Sequence, residues 1–171
     1  MAKSAKNTKP ENTGCFSWKT GSMPKGCRMC VKGRKLVLFV TGICSRQCFY
    51  CPLAETKKNL DVIFANEWKL MNEDDTEAII EEARLTGAKG AGITGGDPLA
   101  RLDRTLKYIR LLKRRFGKNF HIHLYTLPEL VNEDSLARLH KAGLDELRLH
   151  PDLENKKHWW KVELARELDW D

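Results

Sequence analysis

Strand-like and helix-like stretches alternate along this chain, and that alternation limits its fold more than any other feature. Residues 35–41 and 88–94 are short apolar or β-branched runs, and 120–125 and 146–150 alternate apolar with polar residues, all of the length a strand takes. Helical punctuation fills the gaps between them. Asn72 offers an N-cap ahead of Glu73, Asp74 and Asp75, where a helix dipole favours acids; Ile79, Ile80 and Ala83 form an apolar stripe, and Gly87 stops the helix. A second helix is expected over 102–116, with Leu102, Leu106, Ile109 and Leu112 inward and Gly117 as terminator. A third runs over 133–142 between Asn132 and Gly143. Pro151 breaks the chain, and 156–168 reads as helical. Residues 52–70 have no clear period and read as a connection, with a possible short strand at 61–65. Strand and helix repeated in this way imply an α/β fold with a parallel sheet, here of four strand–helix units.

The first strand runs into Cys44, Cys48 and Cys51, with Ser45, Arg46 and Gln47 in the first gap and Phe49 and Tyr50 in the second. Three thiolates on one short loop can hold three irons of a cubane iron–sulfur cluster and leave the fourth open for chemistry. Zinc or buried thiols are the alternatives, although zinc sites usually take four ligands from two evenly spaced pairs. The second strand ends in Gly95-Gly96-Asp97-Pro98, where paired glycines allow close approach to the backbone and proline fixes the exit. By itself such a turn joins many strands to helices.

Together these two motifs resemble the radical S-adenosylmethionine (SAM) enzymes. Their signature is Cys-x3-Cys-x2-Cys with an aromatic residue before the last cysteine, a position Tyr50 occupies, and a Gly-Gly-Glu-Pro-like turn after the second core strand, here with aspartate. The resemblance implies a [4Fe-4S] cluster on Cys44, Cys48 and Cys51. It implies SAM contacts at Tyr50, Gly95, Gly96, Asp97 and Pro98, and reductive cleavage of SAM to a 5′-deoxyadenosyl radical that abstracts hydrogen from a substrate. It implies an electron donor such as ferredoxin or flavodoxin. It also implies a partial (β/α) barrel of six units. Against that pattern the chain is expected to be a fragment, truncated after about four units, with a basic, flexible segment at 1–25 and the incomplete radical SAM core at 26–171. From Gly26 to Pro52, with 94–99 and 120–126, the chain looks like archaeal-type radical SAM proteins related to pyruvate formate-lyase activating enzyme. That likeness implies an activase acting on a partner protein; the basic end and the extra N-terminal cysteines, similar to those of the wybutosine-pathway radical SAM enzymes, leave tRNA or metabolite modification as the other reading.

A chain of 171 residues with 42% hydrophobic content can bury a real core. No apolar run reaches the ~20 residues of a membrane span, and residues 1–13 lack an export signal, so a cytoplasmic protein is expected. All six cysteines fall before residue 52, a clustering that suits metal ligands better than disulfides. Cys15, Cys27 and Cys30 form a second set, readable as an auxiliary cluster, a zinc site or incidental thiols. Charge is lopsided as well: residues 1–60 carry +10 and the rest −3. The basic end is either a solvated tail or an attractor of anionic substrates such as tRNA, with Lys32, Arg34 and Lys35 the better candidates for steering. A non-enzymatic zinc module that binds nucleic acid is the opposing class.

Alternation in the last two strands separates Phe120, Ile122 and Leu124 from His121, His123 and Tyr125, and Leu147 and Leu149 from Glu146, Arg148 and His150. Helices must cover the apolar set, so the polar set is expected to face a wet, ligand-binding lumen. His121, His123, Tyr125, Arg148 and His150 are therefore the candidate catalytic or substrate-binding residues. The alternative is mutual satisfaction, for example of His123 by Glu146.

Overall fold

The computed structural model describes residues 9–170. Its elements are β1 (Glu11–Asn12), β2 (Trp18–Lys19), α1 (Lys25–Cys30), β3 (Lys35–Phe39), β4 (Phe64–Ala65), β5 (Trp68–Lys69), α2 (Thr76–Leu85), β6 (Gly90–Thr94), α3 (Leu102–Phe116), β7 (His121–Thr126), α4 (Glu133–Ala142), β8 (Glu146–Leu149) and α5 (Trp160–Arg166). Short 3-10 turns at Pro98–Arg101, Pro128–Leu130 and Lys156–His158 join them. The main sheet has the order β5-β4-β3-β6-β7-β8. Its four expected strands, β3, β6, β7 and β8, are parallel neighbours in chain order, as strand–helix units dictate. The β4–β5 hairpin covers the β3 edge in antiparallel fashion, starting three residues later than the short strand expected at 61–65.

Alternation decides which face packs. Leu36 and Leu38 of β3, Ala91 and Ile93 of β6, and Ile122 and Leu124 of β7 point to one side. They meet Ile79, Ile80 and Ala83 of α2, Leu106, Ile109 and Leu112 of α3, and Leu136 and Leu139 of α4 in one core. α4 begins with a capping box, in which the Asn132 side chain accepts from the Ser135 N–H and Ser135 Oγ accepts from the Asn132 N–H, and it ends on left-handed Gly143. α2 starts at Thr76 instead of just after Asn72. Asn72 Oδ1 accepts from the Asp74 N–H at 2.8 Å, closing a turn, while Lys107 and Tyr108 of α3 donate to the Glu73 carbonyl. Glu73 and Asp74 thus bind α3, and Asp75 is left at the N-cap of α2.

The opposite face carries the polar set, and the open lumen expected there is filled at its N-terminal half. α1 lies across β3, β6 and β7, burying His121 and His123 to 1% and 3% exposure. Gly26 makes this approach possible: a Cβ there would stand 2.7 Å from both Arg148 Nη2 and His123 Nδ1. Gly92 of β6 makes room in the same way, since a Cβ would meet His123 Nε2 at 2.7 Å. Toward the C-terminal ends the face opens, leaving Tyr125 43% exposed. Of the basic segment expected at 1–25, residues 1–8 lie outside the described residues; β1 and β2 form a small ladder closed by a Lys19–Glu11 ion pair. Within 156–168 the helix is divided, a 3-10 turn preceding α5.

Candidate active site

β3 ends at Phe39 because the next residues are diverted into a loop. Val40 N–H still donates to the Thr94 carbonyl, but Gly42 N–H donates to Leu60 O at 2.8 Å and Asn59 N–H returns to Gly42 O at 2.9 Å. Thr41 Oγ1 donates to Asp61 Oδ1 at 2.8 Å. Asp61 is clamped by Arg101 and Arg104, and the guanidinium of Arg104 holds its carboxyl well below the usual carboxylate range. Arg104 also donates to the Val40 carbonyl at 3.1 Å, tying strand end, connection and α3 together. On that platform sits the cysteine loop.

Cys44, Cys48 and Cys51 line one cavity of about 200 Å³ at the C-terminal ends of β3 and β6. Gly42, Arg46, Tyr50, Thr94, Gly95, Gly96, Leu127 and His150 complete most of its wall, and no carboxylate lines it. Cys44 Sγ accepts from the Arg46 N–H at 3.5 Å, while partial burial pushes its thiol pKa up. Tyr50 hydroxyl and His150 Nε2 are 2.9 Å apart, and the Tyr50 phenol is raised by its hydrogen bond with Cys48. Arg46 pairs with Glu129 and donates to the His150 carbonyl at 3.5 Å. Two bridges therefore join the cysteine loop to the segments after β7 and β8.

The Gly-Gly turn has a tighter steric role than openness to a ligand. A Cβ at Gly95 would stand 2.3 Å from Thr41 O, and one at Gly96 would stand 2.5 Å from both Gly42 O and Ile43 O. The two strand ends are in backbone contact, with Gly96 N–H donating to Thr41 O and Asp97 N–H to Ile43 O. Asp97 turns away from the cavity. It is fully buried, accepts from the Leu99 and Leu127 N–H groups and from Thr126 Oγ1, and burial raises its pKa against these hydrogen bonds. Pro98 is buried beside it. Of the five expected SAM contacts, Tyr50, Gly95 and Gly96 line the cavity, while the buried Asp97 and Pro98 do not.

The polar face divides likewise. His150 joins the cavity. Arg148 pairs with Glu146, donates to the Tyr125 hydroxyl and reaches Cys27 Sγ at 3.2 Å. Glu146 also accepts from the Gly26 N–H at 3.0 Å and stands 3.5 Å from His121 Nε2, so it serves His121 where sequence suggested His123. His123 Nδ1 is buried without a hydrogen-bond partner among the described residues. Desolvation, then Lys35 and Arg148, lower the His123 pKa to about 3. Lys35 is itself lowered to about 8 by burial, with Nζ 3.0 Å from His121 Nδ1.

Two expectations need correction. Lys32, Arg34 and Lys35 do not steer toward the cysteine loop: they precede or begin β3, at the other end of the sheet, and Lys35 is turned onto His121. Nor do Cys15, Cys27 and Cys30 gather. Cys27 and Cys30 lie one turn apart on α1, whereas Cys15 is exposed between β1 and β2. Among the described residues, no three His, Cys, Asp or Glu side chains stand close enough to ligate a metal. The cysteine loop places its three thiols along one cavity. Gly42, Arg46, Thr94 and Leu127 are wall residues that sequence reasoning passed over. Only Arg46, inside the cysteine spacing, carried a signal.

This chain belongs to the radical SAM superfamily, whose family model matches residues 38–167. It is 56% identical over 129 residues to a protein of Methanocaldococcus jannaschii named "Putative glycyl-radical enzyme activating enzyme", covering 75% of this chain and 33% of that protein. It is 28% identical over 130 residues to a "Probable GTP 3',8-cyclase" of Methanococcus vannielii, covering 75% of this chain and 40% of that one. The chain thus spans between a third and two fifths of the length of these relatives. No solved structure matches it. Among the described residues no helix is long and apolar enough to cross a membrane.

Proposed function

We propose that this chain is the cofactor-binding core of a radical SAM enzyme, with Cys44, Cys48 and Cys51 as the ligands of a [4Fe-4S] cluster. One observation carries the reading: the three thiols share a carboxylate-free cavity with Gly95 and Gly96 at the C-terminal ends of two parallel strands, where α/β sheets bind ligands. Soft thiolates in an uneven triad suit iron–sulfur chemistry and fall one short of a structural zinc site. When bound, the cluster and SAM supply one-electron cleavage of the sulfonium to a 5′-deoxyadenosyl radical. The protein positions them. The backbone of 94–96 forms one wall for SAM, and Arg46 and Tyr50, held by Glu129 and His150, fix the loop over it. Tyr125, at the open end of the polar face, is the substrate-facing group, and Arg148 donates to its hydroxyl from beneath α1. His121 and His123 act from beneath α1 by holding that face in place.

The name of the Methanocaldococcus relative makes a glycyl-radical partner protein the leading substrate class, with a ferredoxin or flavodoxin as electron donor. Cys27 and Cys30 are available to a second cluster or a zinc ion. The test is anaerobic reconstitution with iron, sulfide and zinc analysis and low-temperature EPR, with and without SAM, on wild type and on a Cys44→Ala/Cys48→Ala/Cys51→Ala variant. About four irons lost in the variant, with a wild-type signal altered by SAM, is the expected result. Iron retained by the variant assigns a second cluster to the other cysteines. Zinc alone, with no SAM effect, overturns the enzyme and leaves the metal-stabilised module.

A further inference from the structure

The far end of the sheet carries a second concave surface. Lys25, Arg28, Met29 and Lys32 from α1 and its exit, Arg34 ahead of β3 and Lys89 ahead of β6 line a groove of about 360 Å³. Five of these six residues are cations, and no acid lines the groove. The backbone locks it together: Arg34 N–H donates to Met29 O and Lys89 N–H donates to Arg34 O, at 3.0 and 2.9 Å.

Elsewhere this protein neutralises many of its arginines. Arg46, Arg101, Arg104, Arg115, Arg138 and Arg148 each pair with a carboxylate. In the groove, the side chains of Arg28, Lys32, Arg34 and Lys89 make no ion pair or hydrogen bond among the described residues, and all four are exposed. Four uncompensated cations gathered in one groove repel one another, which destabilises the free protein unless an anion is bound. The groove also lies beyond the reach of the active site. From Arg34 to Gly42 the chain runs about 25 Å at the rise of a strand, so the two sites stand at opposite ends of the sheet.

We propose that this groove binds the phosphate backbone of a nucleic acid. Several like charges on separate elements match a repeating anion, and exposed lysine and arginine tips make the contacts that position a backbone without reading bases. No aromatic residue lines the groove to stack on a base. The contacts fall on phosphates, and the binding is therefore steeply salt-dependent. An acidic protein segment is the competing occupant. It is disfavoured because Met29 is the one apolar residue among those lining the groove, and peptide docking draws on apolar anchors as well.

The test uses the full chain and fluorescein-labelled oligonucleotides of mixed sequence, as single-stranded RNA, duplex RNA and single-stranded DNA, followed by anisotropy from 50 to 300 mM salt. An Arg28→Gln/Lys32→Gln/Arg34→Gln/Lys89→Gln variant is compared with wild type and with an Arg84→Gln/Arg110→Gln/Arg114→Gln/Lys141→Gln variant of the same net charge, altered on the outer faces of α2, α3 and α4. The groove variant is expected to bind at least tenfold more weakly. Its log–log salt slope should be shallower by about 3, while the control keeps the wild-type slope. The three probes then show which nucleic acid the groove favours. Equal losses in both variants would reduce the effect to net charge and overturn the proposal. So would tight groove-dependent binding of a poly-glutamate probe that none of the oligonucleotides displaces. Circular dichroism of both variants verifies folding, and the iron content of reconstituted samples separates this outcome from failure of the cluster assignment.

Discussion

Gly42 shows how a single residue without a side chain can set the active site. A Cβ there would stand 1.6 Å from the Lys57 carbonyl oxygen, because residues 57–60 fold back onto the backbone that leaves β3. Gly42→Ala should therefore push the connection off the platform and cost at least about 2 kcal/mol, since backbone cannot yield as a flexible side chain can. Urea unfolding measures the loss, and hydrogen exchange at Gly42, Asn59 and Leu60 locates it; an unchanged midpoint would mean that the two segments do not touch. His123 makes a residue-scale prediction in pH. Its folded pKa of about 3 lies below the usual imidazole value, so the unfolded chain binds a proton that the folded chain refuses between those two pH values. Stability should fall as pH drops from about 6.5 toward 3, and His123→Gln should flatten that limb by roughly 3 kcal/mol between pH 6.5 and 4. The buried His121, also lowered by desolvation, leaves the limb only partly flattened.

Among the elements, those whose ends are written in local chemistry were the legible ones. α3 and α4 run over the residues that their apolar stripes and flanking glycines foretold, and β3, β6, β7 and β8 differ from expectation only at their ends. The start of α2 was misread because Asn72 caps a turn as readily as a helix, and only its contacts with α3 decide between them. α1 was invisible: six residues, a glycine at the second position and no apolar period give no local signal. Since α1 covers His121 and His123, missing it turned a buried polar layer into an open lumen. The candidate site was legible where spacing encodes chemistry, in the cysteines, Tyr50, Gly95 and Gly96. It was illegible where chain segments distant in sequence supply the wall, as Leu127 does. Gly26 tests the role of α1. Gly26→Val would drive a branched side chain into Arg148, His123 and Glu146, each within 3.0 Å of the first added carbon. α1 should detach, exposing His123 and raising its pKa toward that of a free imidazole, which NMR titration of its ring protons reports. Retention of the low value would show that α1 does not seal that face.

At the scale of the whole molecule, the cysteine loop and the core are separate investments. Every residue of the hydrophobic cluster lies on the sheet, its flanking helices or their connections, and none of the six cysteines belongs to it. A metal-dependent module behaves in the opposite way, since its ligands are its core and metal removal unfolds it. The Cys44→Ala/Cys48→Ala/Cys51→Ala variant should thus keep the wild-type far-UV spectrum and a cooperative urea transition within about 0.5 kcal/mol of the metal-free wild type, as surface substitutions do. Cluster loading should then raise the wild-type midpoint and leave the variant unmoved, because only a state that binds the ligand is stabilised by it. Hydrogen exchange should place the added protection in residues 42–60, with Ile93, Leu124 and Leu139 unchanged. A variant that unfolds would mean that the thiols hold the sheet together, and the division between a self-sufficient α/β core and a loop that recruits its cofactor would fail.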